Sequence, residues 1–330
     1  MSCTVGVLGA GNMGTAMAQV AADNRHQVRI WTVEQTIYDD IHSNHRNSRY
    51  VGDTILKNNI QPTLRLSDAT AAAELVLICV PSHAVRQVGR QAAEWLDQGQ
   101  LILNAAKGIE EKSYLLMSQV LTQELPQSAR GSIASMGGPA IAKEVAQGLP
   151  TAVAIGATNL DLAQRARRLL ENDYFKVEPT TDIAGVELGS ALKNVYAIIL
   201  GMADGINLGT NTKAIIGTIG FQEMESIACA FGARSETIRS LAGLGDLFTT
   251  GYNEGSRNRT LGERLAAKSG WQDYLATNTV EGVATVRTVK EMTGALAIST
   301  PLLDMLFSVL FEGSEPAVTL RNFLLGHTFA

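Results

Sequence analysis

Short apolar runs alternate with amphipathic stretches through the first half of the chain. The runs fall at residues 5–8, 27–31, 75–80, 101–104, 132–136, 151–155 and 175–177. The run at 75–80 is apolar without interruption, the texture of a parallel strand buried on both faces. Between runs the period lengthens, with Ala16, Met17, Val20 and Ala21 on one helical face and Val85 and Val88 on another. Near Asp182 the alternation stops. Val186, Ala191, Val195, Ile198 and Met202 recur at three- and four-residue steps, and 215–231, 235–241, 260–268, 282–292 and 301–311 also read as helices. Gly255-Ser256 and Gly270-Trp271 mark breaks. The pattern predicts an α/β domain with a mainly parallel sheet over residues 1–185, then an all-α domain over 186–330.

The first apolar run leads into Gly9-Ala10-Gly11-Asn12-Met13-Gly14, a G-x-G-x-x-G spacing that opens a helix. Gly9 permits a tight turn, Gly11 lets backbone approach a pyrophosphate, and Gly14 lets helix and strand pack closely. The helix N-terminus offers free N–H groups to the anion. A second strand follows, and Glu34 lies about twenty residues beyond Gly14, where a carboxylate can hold an adenosine ribose. Together these features point to a Rossmann-like dinucleotide site rather than an ordinary glycine turn. Pro81, Ser82, Lys107 and Gly138 follow later strands and should gather at the same crevice.

The chain has 330 residues, enough for two cores, with 45% hydrophobic and 18% charged residues. A net charge of -5 gives no sign of nucleic-acid binding. Cys3, Cys79 and Cys229 are scattered and odd in number, and the five histidines lack metal-ligand spacing, so neither a disulfide framework nor a metal site is expected. No apolar run approaches the roughly 18 residues of a membrane span, and strand pattern begins too early for a signal peptide. A cytoplasmic protein is expected.

Several segments carry candidate chemistry. Lys193 sits among small and apolar neighbours in the first helix after the change of texture. Partial desolvation there would favour its neutral form and suit it to acid/base work; a lysine snorkelling to water is the alternative. Asp246, bracketed by Gly243 and Gly245, can orient a lysine or cap a helix. Ser256, Arg257, Asn258 and Arg259 offer hydroxyl, amide and guanidinium donors for phosphate oxygens, or form a solvated cationic turn. Lys107 can hold a substrate oxygen or lower a second lysine's pKa, with an ordinary surface-loop lysine as the alternative. Glu281 can touch a ribose or cap a helix.

In this order the motifs resemble bacterial NAD(P)-dependent glycerol-3-phosphate dehydrogenase. The matching segments are 9–14, 80–83, 106–110, 138–139, 143–151, 191–198, 243–247, 256–259 and 280–282, spread over nearly the whole chain. The resemblance implies reversible hydride transfer between NAD(P)H and dihydroxyacetone phosphate, giving sn-glycerol 3-phosphate for phospholipid synthesis. It implies Lys193 as proton donor and acceptor, Lys107 as its partner and Asp246 as positioner. Lys107, Gly138, Lys193, Asp246, Ser256, Arg257 and Asn258 would bind substrate. Gly9, Gly11, Asn12, Met13, Gly14, Glu34, Pro81, Lys107, Ala142, Arg257 and Glu281 would hold the cofactor, and a homodimer is plausible. Glu34 favours a free 2′-hydroxyl, so NADH is expected to serve at least as well as NADPH. This chain departs from the family in three places. Ala140 and Ile141 replace a hydroxyl residue and an aromatic, Ile219 replaces an arginine, and Met13 stands at the usual aromatic before Gly14. The competing readings are a related oxidoreductase acting on another small phosphate or hydroxy acid, and a protein that binds dinucleotide without chemistry.

Overall fold

The computed structural model describes residues 2–97, 99–294, 296 and 298–328. One sheet of eight strands runs in the order β3-β2-β1-β4-β5-β6-β7-β8. Its strands are β1 (Thr4–Leu8), β2 (Gln27–Trp31), β3 (Ile60–Thr63), β4 (Leu75–Ile78), β5 (Leu101–Asn104), β6 (Ile133–Gly137), β7 (Thr151–Ala157) and β8 (Phe175–Thr180). All neighbouring pairs are parallel except β6 and β7, which are antiparallel. Val5 and Val7 face one apolar layer, and Val76, Ile78 and Ile102 face the other, so the central strands are covered on both sides.

β3 was not expected from the sequence. Its four residues, Ile-Gln-Pro-Thr, hold little apolar signal, and Pro62 reads as a strand breaker. The strand is nonetheless at the sheet's edge, where proline's missing N–H costs no ladder bond. Chain order reverses between β1 and β4, which opens a crevice beyond their carboxyl ends. Gly9 follows β1 there with φ at +111°, a conformation that disfavours side chains. A Cβ on Gly14 would overlap the Gly9 carbonyl, so the helix Asn12–Asp23 packs directly on this turn.

From Ile183 the chain is helical, with a separate core. Its axis is the helix Ile183–Gly205, in which every residue from Gly185 to Ala203 is buried. By length and composition this helix is apolar enough to cross a membrane, contrary to the sequence expectation. Burial inside the protein explains it: 89% of its apolar window is covered by other parts of the chain, and it carries Glu187 and Lys193. A helix that is hydrophobic all round marks a core position as readily as a span. The helices Asp246–Tyr252, Trp271–Thr277 and Pro316–Gly326 are additional to those expected, and the one beginning at Ser235 ends after a single turn at Ile238.

Candidate active site

A cleft of about 860 Å³ runs from the glycine turn to the central helix. Gly9, Gly11, Asn12, Met13, Glu34, Pro81, Lys107, Ala142, Arg257 and Glu281 all line it. Gly14 does not; it is buried behind the turn and acts through packing. A Cβ on Gly11 would enter open space at the start of the first helix. Bare backbone beside a helix N-terminus suits a dinucleotide pyrophosphate.

At the inner end of the cleft three charged side chains meet. Lys107 Nζ donates to Asp246 Oδ2 at 2.6 Å and to the Gly138 carbonyl at 3.2 Å. Lys193 Nζ donates to Asp246 Oδ1 and to Thr250 Oγ1, the latter at 2.6 Å. The Gly138 amide also donates to Asp246 Oδ2, at 3.3 Å. Side-chain exposures of 1% for Asp246, 8% for Lys193 and 16% for Lys107 put the carboxylate innermost.

Local packing brings the three together. Lys107 follows the end of β5, and Gly138 follows β6 with φ at +128°. Gly189 lies against Ala242 and Gly243, leaving no room for a Cβ on the central helix. The chain crosses there as one π-helical turn, Leu241–Gly245, and delivers Asp246 opposite Lys193. Asp246 therefore orients lysines, and the capping alternative is not realised.

Burial pulls the Lys193 pKa down to about 8; Asp246 opposes that pull and Lys107 adds to it. For Asp246 burial works upward, but Lys107 and Lys193 outweigh it and hold the carboxyl below its ordinary value. Burial likewise raises Glu281 despite the opposing charge of Arg257. The inner cleft thus holds one ammonium poised to exchange its proton near neutral pH, a second fixed beside it and a carboxylate that orients both.

The 256–259 segment divides its work. Ser256 caps the helix Arg257–Ala266, accepting from the Arg259 amide at 3.3 Å. Arg257 reaches the cleft, whereas Arg259 turns away to pair with Asp204 and Glu263. Asn258 is buried. Its Nδ2 donates to Asn194 Oδ1 at 2.9 Å, and its Oδ1 accepts from the Gly282 amide at 3.0 Å. Asn194 Nδ2 is buried with no hydrogen-bond partner among the described residues. Buried amides are rarely left in that condition unless a ligand or water completes them.

Family models cover most of the chain. The N-terminal model of NAD-dependent glycerol-3-phosphate dehydrogenase matches residues 4–163, and the C-terminal model matches 182–321. The chain belongs to this family. It is 36% identical to the glycerol-3-phosphate dehydrogenase [NAD(P)+] of an Exiguobacterium species, over 94% of this chain and 92% of the relative. A relative of the same name from Desulfotalea psychrophila is also 36% identical, over 97% of this chain and 96% of its own length. The crystal structure of glycerol-3-phosphate dehydrogenase from Coxiella burnetii superposes with a TM-score of 0.90 at 31% identity, covering 99% of each chain.

Within the family frame, two positions were not singled out as site residues from the sequence. Thr250 carried no signal, because a threonine in a short helix shows its partner only once Lys193 is packed beside it. Asn194 adjoins Lys193, but adjacency on a helix does not predict that its amide is left buried and unpaired. The departures also separate in space. Ala140 lines the cleft, whereas Ile219 is buried in the helical core and is absent from the described cleft lining. Met13 lines the cleft while packing on the sheet's core.

Proposed function

We propose that this chain interconverts dihydroxyacetone phosphate and sn-glycerol 3-phosphate with a nicotinamide dinucleotide, using Lys193 as the proton donor and acceptor. The buried Lys107–Asp246–Lys193 cluster at the end of a dinucleotide-shaped cleft is the observation that carries this reading. Bound nicotinamide supplies or accepts the hydride. In reduction, Lys193 gives a proton to the carbonyl oxygen as it becomes an alkoxide, and Lys107 stabilises the developing negative charge. In oxidation, neutral Lys193 takes that proton back. Asp246 fixes the Nζ atoms of both lysines toward the place of the reacting oxygen, so proton transfer needs no reorganisation.

Arg257 is assigned to the substrate phosphate, for which its fork of donors is suited. The unpaired Asn194 amide, tied to Asn258, supplies a further donor to substrate. The Ala140 departure is read as the loss of one side-chain contact within an intact catalytic cluster. Glu34 is assigned to the ribose 2′-hydroxyl, which makes NADH at least as good a reductant as NADPH.

The test follows loss of NADH absorbance with dihydroxyacetone phosphate in wild type and in Lys193→Ala. Wild type should turn over, and the variant should lose at least about 10²-fold in kcat while keeping its affinity for NADH. Near-normal kcat in Lys193→Ala would overturn the assignment. Arg257→Ala should raise KM for the phosphate substrate by about ten-fold or more, as expected for a lost charge-assisted contact. An unchanged KM would move phosphate recognition elsewhere.

A further inference from the structure

The ribose corner of the cleft holds a three-residue arrangement whose parts lie apart in sequence. Glu34 stands at the end of the turn after β2, with its amide donating to Thr32 Oγ1 at 3.1 Å. One carboxylate oxygen is paired with Arg49, and the other accepts from the Tyr50 hydroxyl at 3.1 Å. The Arg49 guanidinium also lies over the Tyr50 ring, 5.4 Å from its centroid. Glu34 and Tyr50 both line the cleft. The cations among the described lining residues, Lys107, Lys193 and Arg257, are grouped at its catalytic end. Arg29, the basic residue of β2, is committed elsewhere: its guanidinium donates to the Asp68 carbonyl at 3.0 Å and faces a separate depression beside Arg65.

We propose that Arg49 is the residue through which this chain accepts a 2′-phosphate, and that its ion pair with Glu34 is a selector that opens for NADPH and stays closed for NADH. The proposal rests on the assignment of Glu34 to the ribose. With a 2′-hydroxyl, Glu34 accepts from the ribose and remains held by Arg49 and Tyr50. With a 2′-phosphate, the carboxylate repels the incoming anion, and Arg49 must leave Glu34 to meet it. That exchange is physically easy. The pair is half-exposed, with side-chain exposures of 61% for Arg49 and 36% for Glu34, and such pairs are weakly held. The Tyr50 ring gives the guanidinium a surface to slide over, and a phosphate offers its rigid fork a better partner than one carboxylate oxygen.

The experiment measures kcat/KM for NADH and NADPH, together with the Kd of each dinucleotide by fluorescence titration without substrate, in wild type, Glu34→Gln, Arg49→Ala and the double variant; Kd should move with kcat/KM. Glu34→Gln should lower NADH use about ten-fold and raise NADPH use about ten-fold, the scale of one charge-assisted hydrogen bond. Arg49→Ala should lower NADPH use about ten-fold and change NADH use by less than about three-fold, since Tyr50 still holds Glu34. On the Arg49→Ala background Glu34→Gln should give no NADPH gain, so the double variant should stay about ten-fold below wild type. A gain of equal size with and without Arg49 would overturn the proposal, because removal of repulsion alone would then explain it. If Glu34→Gln leaves NADH use unchanged, the ribose assignment fails, and Arg49→Ala decides the rest. A loss confined to NADPH then supports Arg49 as the phosphate ligand, and equal losses for both cofactors reject it.

Discussion

Lys193 has a pKa of about 8 because burial costs its ammonium more than Asp246 returns. The sign of the pH dependence follows from which form each direction needs. With Lys193 as the proposed proton donor, reduction needs the protonated lysine, so kcat/KM for dihydroxyacetone phosphate should fall as pH rises through about 8. Oxidation of glycerol 3-phosphate needs the neutral lysine and should rise through the same range. Measured in both directions, the two limbs should mirror each other; a reduction rate independent of pH across that range would remove Lys193 from proton transfer. At this scale much of the site was legible. Lys107, Lys193 and Arg257 line one cleft, and Asp246 pairs with both lysines behind its wall. Thr250 and the free amide of Asn194 were not legible, because their partners come from packing between helices.

Among elements, the decisive contact is between the central helix Ile183–Gly205 and the helix Arg257–Ala266. Gly201 and Gly205 face the Arg259 and Glu263 carbonyls, and Gly262 faces the carbonyl of Ile198, each with no room for a Cβ. This close approach sets where Ser256, Arg257 and Asn258 stand relative to Lys193 and Asn194. Gly262→Ala should therefore push the segment outward. We expect a loss of about 1–3 kcal/mol in stability from overpacking, together with a raised KM for the phosphate substrate. Chemical denaturation and steady-state kinetics would check it, and a stability loss with unchanged KM would separate the helix contact from substrate binding. The same glycines explain part of what the sequence hid. Contacts made by the absence of a side chain leave no apolar periodicity, and the antiparallel turn of β7 is set by long-range pairing that no local pattern carries. Strands with apolar runs were legible, β8 with its Pro179 among them, whereas the four-residue edge strand β3, with little apolar signal, was not.

Across the whole molecule, Glu187 ties the helical body to the sheet. Burial raises its pKa, and its donors come from different elements. Its carboxylate accepts from the Ser118 amide at 2.8 Å, from the Ser118 and Ser135 hydroxyls at 2.6 Å each, and from the Asn104 amide at 3.4 Å. Asn104 in turn accepts from the Ala106 amide at 3.1 Å, one residue before Lys107. Glu187→Gln keeps shape and most acceptor geometry, with the Ser118 hydroxyl free to turn. It should retain activity within about ten-fold, whereas Glu187→Ala strands several buried donors, at about 1–3 kcal/mol for each group left unpaired. Thermal unfolding and kcat measured on both variants would test this, and equal behaviour of the two would show that the carboxylate's bonds are dispensable.

The inner cleft sets two ammonium groups against one carboxylate, inside a chain whose net charge is -5. A doubly charged phosphate ester therefore gains no long-range attraction from the chain's net charge. Its attraction begins within about 8 Å of the lysines, the screening distance in physiological salt. The surplus positive charge has no long reach and cannot act as a beacon. It works as a missing counter-ion, which the substrate brings with it and carries away again as product.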